Sequence, residues 1–171
     1  VSAPQKLAAM AIRRRLIQLH TPSINPMTVV KRRVSTLTVN QQAHLLEPYR
    51  VAINALQFGQ FNEAHFRMLA DCFNVAEALA QPLYNLANDH IGKFQDGLHV
   101  LEQLAGQYRT SKSWTARAGQ LQAVKDAQEI HEIQLQHVSQ AELLDAAALV
   151  VRRVHAALAG HGGCTVVEAL S

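Results

Sequence analysis

Apolar positions recur along most of the chain at intervals of three and four residues, and no alternating run is long or turn-bounded enough for a sheet. The pattern predicts an all-α fold. Pro4 suits the first turn of a helix over about 4–20, where Ala8, Ile12, Leu16 and Leu19 make one stripe flanked by Arg13 and Arg15. Pro22 and Pro26 end it, because the residue before a proline is pushed out of the α region. Asn25 then caps a short helix over about 26–34 that carries Lys31, Arg32 and Arg33, and 35–40 is a connector. The next helix, about 41–58, contains Pro48, which kinks or divides it, and Gly59 closes it in the left-handed conformation.

Asn62 caps a helix to about Ala80 whose Phe66, Leu69, Cys72, Phe73 and Ala76 share a face broadened by Met68, Val75 and Leu79. So wide an apolar arc predicts a central helix. Pro82 starts a long helix to about Tyr108, interrupted in propensity by Gly92 and Gly97. After a polar loop over 110–113, a helix from about Trp114 to His137 lines up Leu121, Val124, Ala127, His131, Leu135 and Val138. Ser139 followed by Glu142 matches a capping box, so a last helix begins at Gln140 and turns Leu143, Ala147, Val150, Val151, Val154 and Leu158 inward. The expected architecture is a single-domain bundle of about five to seven helices. It divides into a basic N-terminal helical segment (1–36), a bundle core (37–159) and a short flexible tail (160–171).

At 171 residues the chain is long enough to bury one core without metal or disulfide staples. Its two cysteines, Cys72 and Cys164, have no partner at framework spacing, which fits reduced thiols in the cytoplasm. No apolar run approaches the ~18 residues of a membrane span. Three arginines interrupt 7–19, so that stretch lacks the apolar region of a secretory leader.

Charge changes the picture more than composition does. The first fifty residues carry eight basic side chains against Glu47 alone, a sum of +7, while the remainder carries eight basic and twelve acidic, a sum of −4. Positive potential gathered at one end attracts phosphate or an acidic surface whatever the fold beneath it. Arg13, Arg14, Arg15, Lys31, Arg32 and Arg33 are the candidate binding residues, because each guanidinium can fork onto a phosphate. Successive helical residues rotate by about 100°, so Arg13, Arg14 and Arg15 cannot all line one face. Few aromatics accompany them, which disfavours a stacking platform for single strands.

Catalytic constellations are poorly represented. His131 and His137 are six apart, whereas a helical metal pair needs three or four, and Glu129 and Glu132 project from the polar face. His131 is expected in the core, with Glu77 as a partner. The tract His161-Gly162-Gly163-Cys164 lacks the fixed geometry that activates a thiolate. No catalytic residue, metal or cofactor is expected.

Three stretches bear a family likeness. Asn25-Pro26 opening a helix, then HLLEPYRVAINALQFGQFNEAHFRMLADCFNVAEALA (44–80) and EIHEIQLQHVSQAELLDAA (129–147), resemble a family of small, uncharacterised helical proteins carried by phages, prophages and plasmids of proteobacteria. The resemblance spans roughly 25–154 and implies a cytosolic accessory protein of a mobile element. The leading expectation is therefore a non-enzymatic protein that binds nucleic acid through its basic end, with a homodimer surface possible on its apolar helices. The alternatives are an adaptor or inhibitor acting on a host or phage protein, then a metal-dependent enzyme around His131. No membrane partner is expected.

Overall fold

The computed structural model of the chain describes residues 35–80 and 90–158. The helices expected over 4–20 and 26–34, the start of the helix placed after Pro82, and the tail over 160–171 lie outside them. Within the described residues run α1 (Val39–Gln57), α2 (Glu63–Leu79), α3 (Ile91–Ser111), α4 (Ala118–His137) and α5 (Gln140–Leu158). No strand forms there beyond a single bridge between Thr36 and Ser139, so the all-α bundle is observed.

Helix α1 begins two residues before the expected start because Thr38 caps it. The Gln41 amide donates to Thr38 Oγ1 (3.3 Å), and the Thr38 amide donates to Gln41 Oε1 (2.9 Å). These reciprocal bonds satisfy donors that a bare helix start leaves open. Pro48 lies inside α1 without dividing it. Leu46 on one side and Ile53 and Leu56 on the other are all buried, so core packing holds both halves against the proline's lost donor. Gly59, at φ +71°, ends the helix as expected, and the Gln60 amide reaches back to the Ala55 carbonyl (2.7 Å).

Asn62 caps α2 through Oδ1, which accepts from the His65 amide at 3.1 Å. The helix is central as its apolar arc predicts, for it touches each of the other four. Phe66, Leu69, Cys72, Phe73 and Ala76 are all buried within it. Around it the chain runs up and down. Arg50–Glu132 and Gln57–Lys125 contacts make α1 and α4 antiparallel, and Lys93–Asp126 and Gln103–Gln120 do the same for α3 and α4. Helix α5 closes over α2, where Leu143, Ala146 and Val150 bury with Ala78, Leu79 and Leu135. Its capping box forms as read, with the Ser139 amide donating to Glu142 Oε2 (2.7 Å) and the Glu142 amide to Ser139 Oγ (3.2 Å). Val151 and Val154 are only half-buried, since the neighbour that α5 chiefly packs on is α2.

The connection between α3 and α4 corrects two boundaries. Helix α3 continues to Ser111, and α4 begins at Ala118 rather than Trp114. The reason is the indole: Trp114 is buried against Phe61, Phe66 and Tyr108, and reaching them takes the chain off the helical path.

Candidate functional site

The six cations expected to bind a partner, Arg13, Arg14, Arg15, Lys31, Arg32 and Arg33, fall outside the described residues. Within the described body, several basic side chains are matched by acids. Arg50 Nε pairs with Glu132 at 2.9 Å, Lys93 with Asp126 at 3.2 Å, and Arg67 with Glu63 one turn earlier. A side-chain bond from Gln122 and then Lys93 hold Asp126 below the usual carboxylate range, and the bond to Glu132 raises Arg50. Glu132, on the polar face, is half-covered and also accepts from Gln128.

His131 is buried in the core, as expected, at 2% exposure. Its expected partner is corrected. Gln134 sits one turn on, and its Nε2 donates to the Ala76 carbonyl of α2 (3.0 Å), which leaves Oε1 to accept from His131 Nδ1 (2.8 Å). Glu77 instead accepts from Gln95. Tyr49 and Phe94 flank the imidazole, with ring centroids at 6.3 and 6.5 Å. Burial lowers its pKa to about 4, against the opposing influence of Gln134 and Glu132. A neutral imidazole relaying α4 to α2 through a carboxamide is a structural device. Among the described residues no group of three or more His, Cys, Asp or Glu side chains is placed to hold a metal ion. Burial, and then Asp71, push the Cys72 thiol well up, away from thiolate chemistry.

An open groove of about 350 Å³ lies between α1 and α4, lined by Arg50, Asn54, Gln57, Lys125, Gln128 and Glu129 over Ile53. Its two cations are offset by Glu129 in the lining and by Glu132, which pairs with Arg50, and Lys125 Nζ is held by Gln57 Oε1 at 2.9 Å. Such a lining favours water or a neutral polar group over an ion.

The turn from α3 to α4 is different. From Gln103 to Lys125 there is no acidic residue, and Arg109, Lys112, Arg117 and Lys125 are basic. Arg109, Lys112 and Arg117 are exposed. Neither Lys112 nor Arg117 enters an ion pair among the described residues. Lys112 ends α3 at φ +57°, its amide bonded to the Tyr108 carbonyl (2.9 Å) and its ammonium 5.4 Å from the Tyr108 ring. The left-handed residue reverses the chain so that Trp114 stacks on Tyr108, centroids 4.4 Å apart and planes 12° apart. Arg117 is the N-cap of α4, where Gln120 Oε1 accepts its amide at 2.9 Å. A guanidinium offers no acceptor, so it leaves the first-turn amides of α4 without a capping side chain.

Searches against protein-family models, curated proteins and solved structures find no match to this chain.

Counting charge by chain halves hides this turn, because Asp96 and Glu102 before it and Asp126, Glu129 and Glu132 after it offset its four cations in a longer window. The signal that reveals it is the acid-free run of residues 103–125, interpreted with the helical hairpin that folds its two ends together.

Proposed function

We propose that the chain is a non-enzymatic nucleic-acid-binding protein whose basic N-terminal region contacts phosphates and whose helical body carries that region. The observation behind this reading is the distribution of charge. Residues 1–34 contain seven basic side chains and no acid, whereas 35–171 contain nine basic and thirteen acidic. A +7 segment joined to a body of −4 draws a polyanion to the basic end. The body contributes packing rather than chemistry: its buried thiol is pushed away from ionisation and its buried histidine is neutral near pH 7. The setting proposed for it, an accessory protein of a phage or other mobile element working in the cytoplasm, comes from the family resemblance of residues 25–154. No helix among the described residues is long and apolar enough to cross a membrane.

An electrophoretic shift assay with the full chain tests the reading. A duplex should be retarded at 50 mM salt and released as salt rises, because each neutralised phosphate returns a counterion to solution. Absence of any shift at 50 mM salt contradicts it.

A further inference from the structure

We infer that the α3–α4 turn is a second contact surface for the phosphate backbone of a duplex, separate from the basic N-terminal region; the inference rests on the nucleic-acid reading above. Lys112 and Arg117 bracket a linker short enough to hold their Cα atoms within about 18 Å of each other. Arg109 lies one turn before Lys112 on α3. Lys112 and Arg117, which enter no ion pair among the described residues, raise the local potential, whereas Arg67 of α2 is matched by Glu63. The uncapped start of α4 points further partial positive charge the same way. Ser113 and Thr115 share one hydrogen bond (2.8 Å), so one hydroxyl proton of the pair is left to donate.

The aromatic residues select among anionic partners. A protein interface draws affinity from aromatic anchors that bury on binding, and single strands are held by bases stacking on open rings. At this turn Trp114 is 9% exposed and its face is covered by Tyr108. The rings are spent inside the bundle, and what projects is charge. Phe58, on the α1–α2 turn, is the exposed aromatic ring of the described residues. That turn lies at the same end of the bundle, since Phe61 packs on Trp114 and Lys125 Nζ reaches Gln57 beside Phe58. A cationic surface with a single open ring, too few for successive bases to stack on, fits a duplex backbone, read by charge and not by base.

The test is the salt dependence of duplex DNA affinity for the native full chain, for the double variant Lys112→Asn with Arg117→Gln, and for a variant with the six N-terminal cations replaced by glutamine. Asparagine tolerates the left-handed conformation at 112, and both sites are exposed, so thermal melting should match the native chain. The double variant should lose about two units of slope in log affinity against log salt, and about tenfold in affinity at 50 mM salt. The N-terminal variant should keep a residual slope of about two. If the native chain binds and the double variant keeps its full slope, the turn is not a contact and the N-terminal reading stands alone. If the native chain binds no duplex, both fall. Displacement of duplex by polyglutamate at equal charge concentration, with the slope unchanged, assigns the turn to an acidic protein surface and overturns the inference.

Discussion

His131 titrates in a way that the fold must oppose. Its folded pKa of about 4 lies below the ordinary value of 6.5, so the unfolded chain takes up a proton first as pH falls. Its contribution to stability is complete above pH 6.5, declines through the interval, and is gone below about pH 4. Two and a half pKa units correspond to roughly 3 kcal/mol across that window. Urea unfolding at pH 7 and pH 4.5 should therefore show a larger drop for the native chain than for His131→Met, and equal drops would remove His131 from the account. Glycines supply a second contrast at this scale. A Cβ on Gly97 would sit 3.0 Å from Ala127 Cβ and from the Phe73 ring, whereas nothing lies within 4 Å of one on Gly106. Helix propensity favours alanine by about 1 kcal/mol at both, and overpacking costs about 1–3 kcal/mol. Both neighbours of Gly97 are fully buried, so packing prevails there. Melting curves should show Gly97→Ala less stable by about 1 kcal/mol and Gly106→Ala more stable by up to about 1 kcal/mol. Gains at both positions would mean that α3 and α4 do not approach so closely.

Helix ends carry the clearest local chemistry. The paired bonds of Ser139 and Glu142 start α5, which has its main packing surface on one neighbour, so the cap should matter more there than at a helix held on all sides. Ser139→Ala should cost about 1 kcal/mol, and hydrogen exchange should speed first in α5. Uniform acceleration across all helices would show that α5 does not loosen separately. This cap and Asn62 were legible because their donors and acceptors lie within three residues of each other, and Gly59 because a left-handed φ favours glycine. The Thr38 cap was not, since a threonine and valine connector gives the same pattern whether extended or capping. The start of α4 was hidden for the opposite reason: Trp114 has a helical neighbourhood in sequence, and its partners Phe61 and Phe66 are far away in the chain. His131 showed both behaviours. Its burial followed from the stripe, while its bond to Gln134 depended on where α2 places the Ala76 carbonyl.

At the scale of the whole molecule, the bundle and its central helix followed from periodicity, but the distribution of charge needed both sequence and fold. The basic end is plain from residues 1–34, and the α3–α4 turn emerges only once the hairpin brings Arg109, Lys112 and Arg117 to one tip. On the proposed reading, a polyanion is drawn to the basic end and to this turn of a body that is mildly acidic overall. The most direct measurement is the affinity of the full chain for duplex DNA across 50–200 mM salt. The account predicts a log–log slope of about −3 or steeper, equivalent to at least three phosphate contacts, and a marked flattening when Arg13, Arg14, Arg15, Lys31, Arg32 and Arg33 become glutamine. A flat salt dependence, or a slope indifferent to those six replacements, would contradict it.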